Sequence, residues 1–354
     1  MSVPADPIAA AIHPDPYPYY ADLVAWRPFD FDARTGLWVA ASAEAVRAVL
    51  SAPATRVRPP AEPVPATLAD SAAGELFGRF LRMRDGKPHG ALRQEVAGAL
   101  ACHGPAAVAA ETNRQLDRLL AGRRSLDDIV DRLPPLVVGA LCGLTDPALP
   151  EIAMLAATFA RGIAAGRPAG QVALARQAAV DLGNRLSGCG FAGLDAELAV
   201  ANLVGVMVQS YEATVGLIGL ALIAQARHPE LAATDPVAFV DEVLRHDAPV
   251  QNTRRFMAED AVIAGREVGA GQGILVLLAA ANRDPQANPR PDAFCLDRPD
   301  RQVFTFGLGQ HRCPAHGMAA VIAATALGRL AGRVLSGQPI RYRPSLNARM
   351  PLVG

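Results

Sequence analysis

The sequence lacks several features that would assign it to a class at once. It has no excess of either charge, because 34 lysines and arginines balance 34 aspartates and glutamates. Without a basic surface interleaved with aromatic residues, nucleic-acid binding is not expected. The five cysteines are scattered, odd in number and include no Cys-x-x-Cys pair. This spacing argues against a disulfide framework or a structural zinc site, and it favours a reducing, cytoplasmic environment.

A targeting or membrane segment is also not expected. The N-terminal residues contain neither a basic segment nor a long apolar run, so they do not resemble a secretory signal. Residues 196–225 have the length and apolar character of a membrane span. However, the centre of this run contains Gln209, Ser210, Tyr211 and Glu212, and a carboxylate in lipid is costly. We therefore predict a long helix in the interior of a protein that does not cross a membrane.

Helical periodicity dominates the middle of the chain, where apolar residues recur three and four positions apart. Asp235 and Pro236 are typical of the N-cap and first residue of a helix, here ending near residue 246. Shorter apolar runs with glycine turns predict strands at 36–40 and within 253–284. Because no repeat or long linker interrupts the pattern, we predict one domain over residues 1–354, mostly α with a minor β portion. The other predicted helices cover 90–122, 125–143, 149–165, 169–188, 194–228 and 314–335.

The most informative segment is 304–314, which reads Phe-Thr-Phe-Gly-Leu-Gly-Gln-His-Arg-Cys-Pro. Its glycines permit a tight loop with positive φ. The loop delivers Cys313 to the start of a predicted helix whose first residue is Pro314. The helix dipole and the cationic His311 and Arg312 would lower the pKa of the thiol. A thiolate there can ligate a metal or act as a nucleophile, and the residues alone also leave open a buried structural cysteine.

This segment resembles the haem-binding loop of cytochromes P450, which reads F-x-x-G-x-x-x-C-x-G. Phe306, Gly309, His311 and Cys313 fall in place, and Ala315 replaces the last glycine. The resemblance implies that Cys313 is the axial ligand of the iron of haem b. It also implies that Phe306 belongs to the haem-binding loop and that His311 contacts a haem propionate.

Three further motifs of the same family precede this loop in the chain, in the expected order. His89 and Arg93, four residues apart, resemble the H-x-x-x-R motif that binds propionates, and Arg255 stands where the family places another propionate arginine. Glu242 and Arg245 match the family's E-x-x-R. The resemblance implies that these two residues form a buried charge network with an arginine of the irregular region before the cysteine loop, Arg298.

The oxygen-activating helix departs from the family pattern A-G-x-[DE]-T. Glu212 keeps the acid, which the family uses to deliver protons, but Gln209 and Ser210 replace the Ala-Gly pair. Ala213 stands in place of the threonine. Thr214 follows one residue later, turned by about 100° around the helix, so it is not an obvious substitute. The candidate catalytic residues are thus Glu212, Gln209, Ser210 and Thr214.

The resemblance implies the cytochrome P450 fold, with haem b buried between the long central helix and the helix after the cysteine loop. It further implies a monomeric monooxygenase acting on a small or medium-sized organic molecule. Electrons would come from a separate ferredoxin or flavodoxin, because the chain has no flavin or iron–sulfur motif. The departure at Ala213 keeps two alternatives open. One is different haem-thiolate chemistry, of the peroxygenase, isomerase or dehydratase type, and the other is a non-catalytic protein that binds haem or a ligand.

Overall fold

A computed structural model describes residues 3–164, 166–232, 235–334 and 339–354 of the chain. Helices account for most of these residues and strands for a smaller part, which confirms the predicted class. The α-helices are α1 (Tyr17–Trp26), α2 (Ala43–Ser51), α3 (Ala72–Arg79), α4 (Gly86–Ala101), α5 (Pro105–Ala121), α6 (Leu126–Leu141), α7 (Leu149–Ile163), α8 (Ala169–Arg185), α9 (Ala196–Arg227), α10 (Pro229–Ala232), α11 (Pro236–His246), α12 (Leu278–Asn282) and α13 (His316–Leu330). The strands are β1 (Phe29–Asp32), β2 (Leu37–Ala40), β3 (Thr55–Arg56), β4 (Thr253–Met257), β5 (Ala261–Ile263), β6 (Arg266–Val268) and β7 (Gly273–Val276).

The chain folds into two compact units. The first, which we call the β-rich unit, comprises Met1–Ala61, Gly219–Cys313 and Val334–Val353. The second, the helical unit, comprises Glu62–Ile218, Pro314–Arg333 and Gly354. The single domain expected for residues 1–354 stays a prediction.

The β-rich unit is built around a five-stranded sheet in the order β1-β2-β7-β4-β3. The β2–β7 pair is parallel and the other neighbours are antiparallel. Because side chains alternate along a strand, β7 contributes to two apolar clusters on opposite faces of the sheet. Ile274 and Val276 pack with Phe304 and α2, while Leu275 packs with α1. The sheet thereby supports β4 and the start of the cysteine loop.

The helical unit packs α6 against α5 and α7, α7 against α8, and α13 against α5. Ser125 accepts a hydrogen bond from the amide of Asp128 and so caps α6, as expected for a serine before a helix. The α7–α8 contact is close at Gly162, where a Cβ atom would overlap Ala175 and the backbone of Gln171. Glycine at this position lets α7 approach α8, and that packing positions the end of α7.

Helix α9 is long and apolar enough to cross a membrane by length and composition. Its most apolar window is nevertheless 72% buried inside the protein. Its central polar residues also have protein partners, as described below. Burial on this scale is the behaviour of a core helix, as the polar centre of the run predicted.

Helix starts were predicted better than helix ends. Asp235 caps α11 by accepting from the amides of Val237 and Ala238, and α11 ends at His246, so both expectations for this helix are confirmed. The expected helix 90–122 is two helices, since Pro105 opens α5 after a break. The expected strands within 253–284 are present, but the final apolar residues form the short helix α12.

The helix after the cysteine was placed too early and made too long. It begins at His316, because Pro314 and Ala315 form a turn, and it ends at Leu330. Gly332, with φ 72°, lies just past that end, and residue 335 of the predicted helix lies outside the described residues.

Candidate active site

The cysteine loop has the tight geometry that its glycines predicted. Gly307 and Gly309 adopt φ 68° and 64°, in the left-handed region. The amide of Gly307 donates to the carbonyl of Phe304 at 2.7 Å, and the amide of Cys313 donates to the carbonyl of Phe306 at 2.8 Å. These two bonds close the loop on itself and fix the backbone that carries the cysteine.

The thiol of Cys313 is half-buried and takes part in no disulfide. Just before it, Gly309–His311 form a single 3-10 turn. This turn places the half-buried His311 two residues ahead of Cys313, and Phe306, also half-buried, lies at the start of the loop. The three residues predicted to meet the cofactor from this loop are therefore partly accessible within the β-rich unit.

Strand β4 carries the predicted propionate arginine of the same unit. Arg255 is 7% exposed, and its Nη1 donates to the carbonyl of Arg254 at 2.8 Å. It stands opposite Ile274 in the sheet, whereas Arg254 stands opposite Leu275. The two arginines therefore point to opposite faces of the sheet. Burial lowers the pKa of Arg254.

Two predicted propionate ligands lie on α4 in the helical unit. His89 is 2% exposed and Arg93 is half-buried, and both lie within the regular part of the helix. Four residues apart, they share a helix face as expected. Their contacts with a cofactor stay a prediction.

The predicted catalytic residues of α9 differ in their surroundings. Ser210 donates its hydroxyl to the carbonyl of Met207 at 2.8 Å, a bond within the helix. Thr214 is only 2% exposed and Gln209 is half-buried. Glu212 forms an ion pair of 3.4 Å with Arg167. Among the residues that the structure describes, no single partner brings the four side chains together.

Burial raises the pKa of the Glu212 carboxyl above its ordinary value, and the positive charges of Arg167, Arg82 and Arg161 partly oppose that rise. The raised pKa lies closer to the operating pH, where a general acid–base group is most effective. No local pattern in the sequence indicates Arg167, which lies 45 residues away in the connection between α7 and α8.

A second network that the sequence did not predict surrounds Tyr211. Its hydroxyl donates to Asp131 at 2.5 Å and accepts from Nε of Arg161 at 2.9 Å. Arg161 also pairs with Asp131 at 2.9 Å. The network joins α6, α7 and α9 directly beside Glu212, and so it fixes the rotation of α9 at the polar centre of the helix.

The charge network at α11 is present and larger than expected. Glu242 and Arg245 are fully buried and pair at 2.6 Å. Arg298 lies 3.6 Å from the same carboxylate, as predicted. Arg301 lies closer, at 3.1 Å, and was not predicted. One carboxylate therefore faces three guanidinium groups on the side from which the chain enters the cysteine loop.

The chemistry of these side chains fits a haem. Its iron takes a thiolate as axial ligand, and Cys313 lies on a fixed loop and takes part in no disulfide. Its two propionates require cationic or hydrogen-bonding partners, and Arg255 and His311 supply such groups in the same unit.

Comparison with known proteins agrees with this chemistry. The family model for cytochrome P450 matches residues 220–331, which include the α11 charge network, β4 and the cysteine loop. The chain is 37% identical over 160 residues to a vitamin D(3) 25-hydroxylase of Pseudonocardia autotrophica, covering 43% of this chain and 38% of that protein. It is 32% identical over 166 residues to a biotin biosynthesis cytochrome P450 of Bacillus subtilis (strain 168), covering 44% and 42%. The alignments thus span less than half of these relatives' length.

Solved structures match over nearly the whole chain. P450BioI, solved with an acyl carrier protein that carries hexadec-9Z-enoic acid, has a TM-score of 0.82 at 21% identity, covering 95% of this chain and 96% of that one. CalO2 has a TM-score of 0.81 at 23% identity, covering 99% and 97%. At this identity the likeness shows the fold. Residues 220–331 therefore match the cytochrome P450 family, and the chain as a whole has the cytochrome P450 fold.

Proposed function

We propose that this chain is a haem-thiolate monooxygenase that inserts one oxygen atom from O₂ into a small or medium-sized organic substrate. The observation that carries the proposal is the closed loop that ends at Cys313, with its two left-handed glycines and a cysteine that takes part in no disulfide. Members of the family use haem b. Relatives named as hydroxylases, among them a 6-deoxyerythronolide B hydroxylase of Saccharopolyspora erythraea, support hydroxylation as the reaction.

Bound to a thiolate, haem b supplies the activation of O₂ and the transfer of one oxygen atom. In our proposal Cys313 provides that thiolate. Within the β-rich unit, His311 and Arg255 would bind a propionate; within the helical unit, His89 and Arg93 are the residues proposed for the same role. Arginine and histidine suit this task because each donates charge-assisted hydrogen bonds to a carboxylate.

The polar side chains of α9 are proposed to hold and transfer protons. Glu212 holds a proton more readily than an ordinary glutamate because burial raises its pKa. The pairing with Arg167 at 3.4 Å favours the ionised carboxylate, so movement of Arg167 away would favour uptake of a proton by Glu212, and its return would favour release of that proton. The hydroxyls of Ser210 and Thr214 and the amide of Gln209 are the groups on this stretch of α9 able to order water beside it.

Electrons are proposed to come from a separate ferredoxin or flavodoxin, with the chain acting in the cytoplasm as a monomer. The sequence carries no flavin or iron–sulfur motif, which supports an external donor. A test is reconstitution with a bacterial ferredoxin and its reductase, in which NADH oxidation should depend on the ferredoxin.

The first experiment is the carbon monoxide difference spectrum of the reduced protein, beside Cys313→Ser. A strongly red-shifted Soret band that disappears in the variant is expected. A band of the kind given by histidine-ligated haem, unchanged in the variant, would sink the assignment of Cys313. Cys295→Ser is the matched control, because Cys295 bonds to Asp297 rather than lying in the loop.

A second candidate function is peroxide-driven oxidation or another haem-thiolate reaction that needs no proton delivery to O₂. It is favoured by Ala213 in place of threonine and by the engagement of Glu212 with Arg167. Oxygen labelling separates the two. Product labelled from ¹⁸O₂ in the reconstituted system supports the monooxygenase, while labelling only from H₂¹⁸O₂ supports the alternative. A bound haem that shifts its spectrum with ligands but yields no product under either condition would indicate a non-catalytic protein.

A further inference from the structure

Residues 301–305, which we call the approach segment, include the first two residues of the cysteine loop, Phe304 and Thr305, and are tied to α11 by side chains. Nε of Arg301 lies 3.1 Å from Oε2 of Glu242. Four residues later, the hydroxyl of Thr305 donates to the carbonyl of Leu244 at 2.6 Å. Thr305 is 4% exposed, so this bond is made away from water. Both ends of the approach segment are therefore fastened to the same helix.

Between these two ties, Asn282 at the end of α12 holds the middle of the approach segment. Its side-chain amide donates to the hydroxyl of Thr305 at 2.8 Å and to the carbonyl of Leu244 at 3.0 Å. Its side-chain oxygen accepts from the amide of Phe304 at 2.6 Å. Asn282 is fully buried, and a buried amide whose donors and acceptor are all used leaves little freedom to its partners.

Arg301 does more than add charge to the α11 network. Its Nη2 donates to the carbonyl of Leu296 at 2.5 Å and of Cys295 at 3.3 Å. The amide of Cys295 in turn donates to Oε1 of Glu242 at 3.0 Å. Arg301 thus links the approach segment both to α11 and to the turn that precedes it.

Two backbone hydrogen bonds connect the approach segment to Cys313. The carbonyl of Phe304, whose amide Asn282 holds, accepts from the amide of Gly307 at 2.7 Å. The carbonyl of Phe306 accepts from the amide of Cys313 at 2.8 Å. A displacement of the approach segment therefore moves the backbone of Cys313 through these two hydrogen bonds.

We propose that Arg301 and Thr305 are positioning residues that hold the approach segment on α11 and thereby fix where the Cys313 thiolate is presented. The inference rests on the proposed function in one respect, the ligation of haem iron by Cys313. Neither residue touches the cofactor in this proposal. Their effect is on how firmly the thiolate is retained as a ligand.

The test compares thiolate retention with global unfolding in the holoprotein. Urea titrations of Arg301→Gln, Arg301→Lys, Thr305→Val and the unmodified protein are followed by the red-shifted carbon monoxide band and by far-ultraviolet circular dichroism. For Arg301→Gln we expect the equilibrium for loss of the thiolate band to shift by roughly tenfold, the scale of one charge-assisted hydrogen bond, with helix loss shifted less. Arg301→Lys keeps the charge and should recover part of the effect, and Thr305→Val should follow Arg301→Gln.

Arg266→Gln is the matched control, since Arg266 is an exposed arginine of β6 in the same unit. The inference is overturned if Arg301→Gln and Thr305→Val lose the thiolate band at the same urea concentration as the unmodified protein. It is equally overturned if both signals shift together, which would mark a role in overall stability alone.

Failure of the proposed function has a separate signature, the absence of the red-shifted band from the unmodified chain. In that case, alkylation of Cys313 by iodoacetamide, read by peptide mass spectrometry, replaces the spectrum. Faster labelling in Arg301→Gln and Thr305→Val than in Arg266→Gln would support positioning of the loop. Equal labelling in all three variants would refute it.

Discussion

Three arginines of the β-rich unit converge on Glu242. Its fully buried carboxylate pairs with Arg245 and lies within 3.6 Å of Arg298 and 3.1 Å of Arg301. Arg245 also donates to the carbonyls of Pro291 and Ala293. Charges this deep are tolerated only when paired, because burying an ion without a partner costs several kcal/mol. Loss of this carboxylate would therefore remove the anionic partner of three arginines at once.

Replacing Glu242 by glutamine should be strongly destabilising. The change removes the only negative charge among these four side chains, and breaking a buried pair in this way typically costs about 3–5 kcal/mol. Urea unfolding of the holoprotein measures it. Asp292→Asn is the matched control, because the Asp292 side chain is 87% exposed although it pairs with Arg283, and exposed pairs contribute about 0–1 kcal/mol. Similar losses in both variants would contradict the argument from burial.

Single residues of the site could be predicted where they belong to a short local sequence pattern. The cysteine, its glycines and the E-x-x-R pair are short motifs, and the pairing of Glu242 with Arg245 follows from helix geometry. Arg167 and Asp131 have no such pattern, since they meet α9 from 45 and 80 residues away. Contacts over that sequence distance depend on the tertiary fold, which a single sequence does not display.

At the scale of elements, the cysteine loop depends on backbone conformation more than on side chains. Gly307 has φ 68°, where an L-residue with a Cβ is strained by roughly 1–2 kcal/mol. Space is not the obstacle, because the nearest atom to an added Cβ, the carbonyl oxygen of His311, is 3.8 Å away. The loop therefore requires glycine for its φ angle.

Gly307→Ala should lower the stability of the loop by roughly 1–2 kcal/mol and weaken the thiolate-dependent carbon monoxide band. Gly317→Ala provides the matched control within α13, where nothing lies within 4 Å of an added Cβ. Alanine there is expected to be neutral or stabilising by up to about 1 kcal/mol, since it restricts the unfolded chain. Urea titration followed by the spectrum compares the two variants. Equal effects would show that φ at Gly307 is not what holds the loop.

The end of α11 is sensitive to acid through His246. Burial lowers the pKa of its imidazole from 6.5 to about 4, and the positive charge of Arg283 adds to the fall. Nε2 lies 3.1 Å from the carbonyl of Asp292, and the ring meets Phe294 edge to face at 5.3 Å. The folded protein therefore keeps this imidazole neutral at pH values where the unfolded chain protonates it.

The free energy of unfolding should consequently be fully retained above pH 6.5 and fall as the pH drops from 6.5 toward 4. The shift corresponds to at most about 3 kcal/mol, and screening by water reduces it. His246→Gln can still donate to Asp292 but does not titrate, so its stability should vary less over this range. Urea unfolding at several pH values measures the slopes. His103→Gln is the control, and an unchanged slope in His246→Gln would contradict the assignment.

Element positions followed from the sequence where caps marked them. Asp235 accepts backbone amides as an N-cap, and α11 starts where expected. The start of α13 was misplaced because proline favours the first turn of a helix but does not compel it. Here Pro314 lies in a turn two residues earlier. Helix α12 was read as strand because a short buried apolar run has the same composition in either conformation.

For the whole molecule, composition predicted the class but not the arrangement of the sheet. The neighbours β2 and β7 are more than 200 residues apart in the chain, and they pair in parallel. No local pattern specifies such a pairing, because it depends on which apolar faces find one another after the helices form. The sheet order could therefore be learned only from the structure or from comparison with relatives.

Helix α9 has a length and composition that would suit a membrane. Three polar contacts argue for a protein interior instead: Tyr211 with Asp131, Tyr211 with Arg161, and Glu212 with Arg167. In lipid these groups would lose partners that come from other parts of the chain, at a cost of several kcal/mol. We expect the full chain, made without detergent, to stay in the supernatant after ultracentrifugation of a lysate.

Tyr211→Phe combined with Glu212→Gln tests the physical reason behind that expectation. If α9 is instead a membrane helix and the network is incidental, the unmodified chain and the double variant should both sediment with the membranes. Both should then require detergent for release. If α9 is a core helix, the unmodified chain stays in the supernatant and the double variant unfolds at lower urea concentration, because Asp131, Arg161 and Arg167 lose buried partners. A detergent-dependent unmodified chain would overturn the assignment of α9 to the protein core.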